Sequence, residues 1–221
     1  MKLVLLGPPG AGKGSLAALL KKSFGIAHIS TGDLLREEIK NNTSLGQEAK
    51  SYIDQGALVP DELVTRLVEH KLKTIQGGYL LDGFPRTKRQ AEDLDQILAR
   101  LKQSLDSIIY LNATLAVIIS RLAGRRVCKS CGALFHIKNK PSQKQGICDS
   151  CQGQLYQRPD DNEATVQERM RVYLENTEPI IHYYKQQNRL MTVNADQDSE
   201  ELESLILKSF DGHEQNKRNR H

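Results

Sequence analysis

The stretch that decides the fold is KLVLLGPPGAGKGS, residues 2–15, which joins an apolar strand-like run to a glycine-rich loop and a lysine. The helical pattern SLAALLKKSF overlaps its last residue and continues from it. Glycines allow a loop to turn its backbone N–H groups inward, and the positive end of the following helix favours an anion. The lysine of such a loop supplies a mobile cation for the β and γ phosphates. The sequence therefore predicts a triphosphate-binding loop made of Gly10, Ala11, Gly12, Lys13, Gly14 and Ser15.

Further β-branched or leucine-rich runs follow at residues 26–29, 79–82, 107–111 and 191–194. Helical patterns lie around and between them, at residues 12–24, 61–76, 87–101, 113–123, 163–175, 179–187 and 199–210. Strands that alternate with helices form parallel sheets, and the helices cover both faces of such a sheet. We therefore expect an α/β fold of the phosphate-loop NTPase type, with a five-stranded parallel sheet and helices on both faces.

The composition sets limits on location and partners. The chain has 221 residues, of which 38% are hydrophobic and 26% charged, so it can bury its own core without disulfides. No apolar run approaches the roughly 20 residues that a membrane helix needs. The net charge of +4 is weak evidence for a polyanion partner, because residues 212–221 alone carry +2. We expect a cytoplasmic monomer without membrane or nucleic-acid partners.

Two segments do not fit a plain alternation of strands and helices. Residues 30–59 contain two short helical patterns where a single crossover helix would suffice, and residues 121–159 contain all four cysteines. The second segment holds eight Lys or Arg residues and one Asp, a net charge of +7. We expect a core domain of residues 1–29, 60–120 and 160–211, insertions at 30–59 and 121–159, and a disordered tail at 212–221.

The phosphate-binding loop departs from the general pattern at one position. Gly14 directly follows Lys13 where Ser or Thr is usual, and Ser15 comes one residue later. The form GxxGxGKGS and the chain that follows it, to about residue 210, resemble the adenylate kinases among the nucleoside monophosphate kinases. The resemblance implies reversible phosphoryl transfer from Mg·ATP to AMP, giving two ADP. It also implies that phosphates and water hold most of the Mg²⁺ coordination, with Asp82 as an outer-shell acceptor.

Three further stretches are candidates for a second nucleotide site: residues 30–33 with Arg36, residues 56–61, and residues 82–86 with Gln90. Taken singly, each also fits a helix cap, a solvated charge or a tight turn. In their order and spacing they are similar to the monophosphate-binding motifs of adenylate kinases. The resemblance implies that two arginines grip the AMP phosphate while the glutamine reads the adenine edge. The implied AMP-binding residues are Thr31, Arg36, Ala57, Leu58, Val59, Gly83, Phe84, Pro85, Arg86, Gln90, Arg158 and Arg169.

Arginines are the expected tools for phosphoryl transfer, because its catalysis consists chiefly of aligning the nucleotides and neutralising the transferred group. Arg121 and Arg125 lie four residues apart on a predicted helix and are expected to face the same way. Surface arginines are common, and Arg126 points elsewhere by periodicity. By the family resemblance no general base is needed, and the catalytic residues are Lys13, Arg86, Arg121, Arg125, Arg158 and Arg169. The same resemblance extends the ATP-binding set to Arg121, Arg125, Leu134, Phe135 and Gln197, with Gln197 contributing mainly its backbone.

The four cysteines form two CxxC pairs, Cys128 with Cys131 and Cys148 with Cys151. This spacing is typical of a structural zinc ribbon with four sulfur ligands. A reduced or vestigial site and an iron centre are the alternatives, and His136 is a possible stray ligand. Resemblance to the zinc-bearing lids of bacterial adenylate kinases implies a structural zinc ion, which would order an insertion that has little apolar content.

Two rival interpretations remain open. Within the same fold, the acceptor could be uridylate, cytidylate or guanylate instead of adenylate; Gln90 and the TGDLLR stretch favour AMP. In the second, the zinc ribbon and the basic tail contact nucleic acid while the phosphate loop powers remodelling. That interpretation requires aromatic stacking residues among the basic ones, and the cysteine-containing insertion offers only Phe135 and Tyr156.

Overall fold

The computed structural model describes the backbone of residues 1–218 and their side chains, except those of residue 163 and residues 211–218. The strands in this part are β1 Lys2–Leu6, β2 Ala27–Ser30, β3 Tyr79–Asp82, β4 Ser107–Asn112, β5 Arg125–Cys128, β6 Leu134–His136, β7 Leu155–Tyr156 and β8 Leu190–Asn194. Five of them form one sheet in the order β2-β3-β1-β4-β8, and every neighbouring pair is parallel. The expected five-stranded parallel sheet is confirmed.

The helices are α1 Lys13–Phe24, α2 Thr31–Lys40, α3 Ser44–Gln55, α4 Asp61–Thr74, α5 Lys88–Arg100, α6 Leu115–Gly124, α7 Glu163–Val172, α8 Glu178–Gln186 and α9 Ser199–Arg218. A 3-10 turn at Pro159–Asp161 precedes α7, and a π-helical turn at Tyr173–Thr177 joins α7 to α8. The helices predicted at residues 163–175 and 179–187 are therefore continuous. Pro179 does not interrupt them, because it lies in the first turn of α8, where a missing N–H costs little.

The core lies on both faces of the sheet, as the alternation along β1 shows. Leu3 and Leu5 belong to an apolar cluster that includes side chains of α1 and α9. Val4 and Leu6 belong to a second cluster that includes side chains of α4, α5 and α8. Because each face of β1 is covered, its residues 3–6 form an unbroken apolar run, and the loop that follows starts from a buried strand.

The two insertions are built differently. In residues 30–59, α2 and α3 pack closely: a Cβ on Gly46 would lie 2.2 Å from the carbonyl oxygen of Glu38. In residues 121–159, β5, β6 and β7 form a small antiparallel sheet in the order β6-β5-β7. Phe135 packs there against Cys128 and Cys148 in a separate small core. This second insertion is called the lid below.

The C-terminal helix is longer than predicted. It continues to Arg218, whereas the sequence predicts a helix that ends at residue 210 and a disordered tail at 212–221. Residues 213–218, HEQNKR, include several good helix formers and no proline, which permits the continuation. The last part of the predicted tail, residues 219–221, lies outside the described residues. None of the helices in the described part of the chain combines the length and the apolar composition of a membrane span.

Candidate active site

The glycine-rich loop lies at the carboxyl end of β1 and leads into α1. Gly10 and Gly12 have φ angles of +83° and +95°, in the left-handed region that favours glycine. A Cβ on Gly10 would also lie 2.9 Å from the side chain of Leu122. Gly12 precedes α1 without a side chain that could cap it. The N–H groups of the first turn are therefore available to an anion.

Lys13 lies at the centre of this loop. Its Nζ donates hydrogen bonds to the carbonyl oxygens of Gly7 and Pro8, at 2.7 Å and 2.9 Å. Burial lowers the pKa of Lys13 from 10.5 to about 7; Asp82 opposes this shift, and nearby arginines add to it. A polyphosphate at this position would restore the charged form of the lysine, since a nearby negative charge favours it.

The second candidate site begins where β2 ends. The hydroxyl of Ser30, and not that of Thr31, caps α2 by accepting the N–H of Asp33 at 3.2 Å. Thr31 instead donates its hydroxyl to the carbonyl oxygen of Gly83 at 2.8 Å, and Arg86 Nε donates to the same oxygen at 2.8 Å. A Cβ on Gly83 would lie 2.9 Å from both Thr31 Oγ1 and Arg86 Nη2, so glycine is required there.

An ion pair joins the lid to the first insertion. Asp33 Oδ1 lies 2.5 Å from Arg36 Nη2 on its own helix and 3.5 Å from Nη2 of Arg158 in the lid. The pKa of Arg158 is lowered to about 10, by burial first and then by the neighbouring charges of Arg36 and Arg125. Guanidinium groups from both insertions therefore meet, with a single carboxylate between two of them.

Two consecutive carboxylates hold Arg125 of the lid and Arg169 of α7. Asp161, whose side chain is fully buried, accepts hydrogen bonds from Nε and Nη2 of Arg125 and from Nη1 of Arg169. Asp160 Oδ2 pairs with the same Nη1 of Arg169 at 2.9 Å. Because the Asp161 carboxylate is fully buried and the side chains around it are half-buried, these contacts fix the direction in which the guanidinium groups point.

The cations of the two sites share one region. The pKa of Lys13 is lowered by the charges of Arg86, Arg169 and Arg125, after burial. The pKa of Arg86 is lowered to about 10, by burial first and then by Arg169. Such mutual effects require that the charged side chains of the phosphate loop, the Gly83–Arg86 turn and the lid lie close together. The unfavourable clustering would be relieved by a ligand with several negative charges.

Gln90 lies on α5, one helical turn after Arg86, and only 2% of its surface is exposed. Its Nε2 donates to Asp61 Oδ1 at 2.8 Å, and its Oε1 accepts the backbone N–H of Arg86 at 2.8 Å. Asp61 begins α4, directly after the stretch GALVP, in which Val59 is buried. The glutamine and the 57–59 stretch are therefore joined through Asp61.

The four cysteine sulfurs form one cluster, all within 4.8 Å of one another. Sγ of Cys128 lies 3.4 Å from that of Cys151, and Sγ of Cys131 lies 3.6 Å from that of Cys148. Tetrahedral zinc–sulfur bonds of about 2.3 Å place sulfurs about 3.8 Å apart, so the set fits zinc. Backbone N–H groups of Cys131, chiefly, and Ser130 lower the pKa of Cys128 to about 6, which favours the thiolate that a metal needs.

The profile of the family described as adenylate kinase matches residues 5–189 of the chain. The chain belongs to the adenylate kinase family. It is 51% identical to the adenylate kinase of Alkaliphilus oremlandii over 95% of this chain and 98% of the relative. Adenylate kinases of Caldicellulosiruptor saccharolyticus and a Geobacillus strain are 49% and 48% identical, over 95% and 96% of this chain and 99% of each relative. The resemblance stated from the sequence is confirmed at the level of the family.

One arginine of this adenylate kinase family member is placed differently from the expectation. Helix α6 ends at Gly124, and Arg125 already belongs to β5, so the helical spacing does not align it with Arg121. Arg121 donates from Nη1 to the carbonyl of Ala195 at 2.6 Å and from Nη2 to the carbonyl of Gln197 at 2.9 Å. It therefore ties the loop after β8 to α6, while Arg125 pairs with the buried carboxylate of Asp161, just after the lid.

Other lid residues separate into two groups. A Cβ on Gly14 would lie 3.0 Å from Cδ1 of Leu134, so the lid rests on the phosphate loop through this leucine. Phe135 instead faces the small core of the lid. His136 lies apart from the cysteine cluster: its Nδ1 accepts the N–H groups of Lys138 and Asn139, and its Nε2 lies 3.2 Å from the carbonyl oxygen of Ser120.

Sequence reasoning missed the carboxylates that hold the site together, above all Asp33, Asp61, Asp160 and Asp161. A charge count could have pointed to the last two, since the pair DD directly follows Arg158 and Pro159 at the border of a strongly basic segment. His28 was also missed. Its Nε2 lies 3.3 Å from Oδ2 of Asp82, so the two side chains are neighbours on the adjacent strands β2 and β3.

Proposed function

We propose that the chain transfers a phosphoryl group between ATP, held by the phosphate loop and the lid, and AMP, held by residues of the first insertion and the Gly83–Arg86 turn. The observation that carries this proposal is the convergence of Lys13, Arg86, Arg125 and Arg169, whose charges act on one another in a buried region. A region with that many cations suits two nucleotides whose phosphate chains meet end to end.

The ATP half of the site uses the loop from Gly10 to Ser15, with Lys13 on the β and γ phosphates. The lid closes over these phosphates with Arg125, and Leu134 lies beside Gly14. Arg121 acts through the loop after β8, whose Gln197 carbonyl it binds. We assign that loop to the adenine side of ATP, with Gln197 contributing its backbone.

The AMP half uses Arg36, Arg86 and Arg158 on the phosphate, because their guanidinium groups can form paired hydrogen bonds with its oxygens. Thr31 supports this half by fixing the Gly83 carbonyl, to which Arg86 is also bound. Gln90 and residues 57–59 border the base. Phe84, Pro85 and Arg169 complete the set, with Arg169 held by Asp160 and Asp161.

These residues bring about transfer by position and charge. The acceptor is already an ionised phosphate, so no side chain has to remove a proton from it. Arginines from the lid and the turn neutralise the transferred group while both nucleotides are kept in line. Closure of the lid onto the loop excludes water, which would otherwise compete as the acceptor.

Magnesium enters with ATP, and when bound it neutralises part of the triphosphate charge. Asp82 fits an outer-shell role: its carboxylate stands at the carboxyl end of β3 beside the loop, with Oδ2 4.0 Å from the Cβ position of Gly14. The zinc ion that the four cysteines fit would be structural, since two of them lie in the small core of the lid and four sulfur ligands leave no open position on the metal.

The test is a coupled assay of ADP formation from ATP with AMP, UMP, CMP or GMP as acceptor, and with ATP alone as control. We expect AMP to be the preferred acceptor and ATP alone to give little ADP. A clear preference for another monophosphate would overturn the assignment of the acceptor, and equal ADP with ATP alone would overturn the transferase itself. We further propose that the enzyme works as a cytoplasmic monomer.

A further inference from the structure

The side-chain amide of Gln90 is held at both ends by groups that permit a single orientation. Its nitrogen side faces Oδ1 of Asp61 at 2.8 Å, and its oxygen side faces the backbone N of Arg86 at 2.8 Å. An ionised carboxylate only accepts hydrogen bonds, and a backbone N–H only donates one. The chemistry of these two partners therefore fixes nitrogen beside the carboxylate and oxygen beside the N–H.

Asp61 is itself held in place. Its Oδ2 accepts a hydrogen bond from the hydroxyl of Thr87 at 2.7 Å, and Thr87 Oγ1 in turn accepts the backbone N–H of Gln90 at 3.1 Å. The three residues form a closed ring of hydrogen bonds. Because Gln90 is 2% exposed, water cannot replace a lost partner, and a reversed amide would bring two acceptors together at one end and two donors together at the other.

The amide keeps one N–H and one oxygen lone pair that the ring does not use. These suit a base edge on which a ring nitrogen accepts and a neighbouring amino group donates, as on adenine. Hypoxanthine has the same rings with the reverse polarity, because its ring N1–H donates and its carbonyl accepts. A glutamine that was free to turn could serve either base, whereas one fixed orientation serves one of them.

We infer that Asp61 determines acceptor specificity by holding Gln90 in the orientation that pairs with adenine and rejects the reversed edge. The inference rests on the proposed placement of AMP against Gln90. Asp61 acts through the glutamine and is therefore a positioning residue. The location of Asp61 supports this role. It comes two residues after the 57–59 stretch, which borders the base.

The test replaces Asp61 by Asn, which has nearly the same shape but can offer either a donor or an acceptor. The readout is the ratio of kcat/KM for AMP to kcat/KM for IMP, with ATP as donor. We expect Asp61→Asn to lower this ratio by about tenfold or more, because the site loses a buried group that rejects the wrong polarity. The KM for ATP should stay unchanged. Glu62→Gln is the matched control, since it removes the same charge from the same first turn of α4 at an exposed residue.

The outcomes separate the inference from the proposed function. A wild-type enzyme that does not phosphorylate AMP would defeat the proposed function. If the wild type does so and Asp61→Asn lowers AMP and IMP activity equally, Asp61 only supports the fold, and the inference is wrong. Should the variant unfold at the assay temperature, Thr87→Val removes the hydroxyl that holds Asp61, and an AMP to IMP ratio equal to that of the wild type would again overturn the inference.

Discussion

Asp161 and Arg125 form a buried pair in which both carboxylate oxygens of the aspartate accept hydrogen bonds from the guanidinium group of the arginine. The carboxylate is fully buried, and it also accepts a hydrogen bond from Arg169. Arg125 of the lid and Arg169 of α7 thus share one acidic partner that the reaction itself does not require.

Removing the charge of Asp161 should therefore weaken catalysis without touching the nucleotides directly. In Asp161→Asn the two arginines lose a common partner and no longer point at the phosphates. We expect kcat to fall roughly 10- to 100-fold, since a small misplacement of catalytic groups has effects of that order. Steady-state kinetics would measure it, with Asp54→Asn as control, because that residue forms only an exposed pair with Lys50. Equal kcat values for the two variants would contradict the role.

Binding of ATP should be coupled to proton uptake at Lys13. Burial lowers the pKa of this lysine to about 7, so above that pH the free enzyme holds it largely neutral, and the phosphates restore its proton. Between a pH of about 7 and one of 10.5, Lys13 is protonated in the unfolded chain but not in the folded chain. The contribution of Lys13 to the free energy of unfolding therefore rises with pH in this range. Calorimetry in buffers of different ionisation enthalpy should show the uptake at a pH of about 8.5.

The control for this proton uptake is on the same helix. Lys13→Met should abolish the uptake, whereas Lys21→Met, which alters an exposed lysine of α1, should leave it as in the wild type. Binding enthalpies of the wild type that do not depend on the buffer would show that Lys13 is already charged in the free enzyme.

Arg86→Ala should act mainly on the acceptor. The guanidinium group of Arg86 lies beside Thr31 and the Gly83 carbonyl, on the side assigned to AMP. Loss of a charge-assisted pair with phosphate is expected to raise the KM for AMP by roughly tenfold or more, with a smaller change in the KM for ATP. Arg89→Ala provides the comparison, since Arg89 is exposed and pairs only with Asp93 on the surface. An AMP response in Arg86→Ala like that of Arg89→Ala would refute the assignment.

Removal of the metal should destabilise the lid more than it alters the chemistry. The lid has a small core of Cys128, Cys148 and Phe135, which is too little apolar surface to order the segment alone. We expect chelation to lower the melting temperature and to increase proteolysis between residues 121 and 159, and added zinc to reverse both effects. Identical melting profiles before and after metal removal would discredit a structural metal.

The sequence was sufficient for the framework of the fold. Residues 3–6 of β1 and 79–81 of β3 are unbroken apolar runs because both faces of the sheet are covered, and this pattern is visible in the sequence alone. The phosphate loop was predictable because glycines, lysine and helix follow one another directly in the chain. The cysteine cluster was predictable for the same reason, since metal ligands at short spacing leave a local pattern.

The partners of the site residues could not be read in this way. Asp161 lies 36 residues after Arg125, and Asp61 lies 29 residues before Gln90, so only the folded chain brings them together. A single carboxylate also carries no periodicity that would distinguish it from a solvated charge. The placement of Arg125 was mispredicted because helical spacing was extended past Gly124, where the helix ends.

Initial-velocity kinetics with ATP and AMP both varied is the most direct test of whether one site binds both nucleotides at the same time. If both must be bound at once before the phosphoryl group moves, reciprocal plots of rate against one substrate at fixed levels of the other will intersect. Parallel lines would mean that ADP leaves before AMP arrives and that a phosphorylated side chain carries the group, which would contradict direct transfer within the cluster of Lys13, Arg86, Arg125 and Arg169.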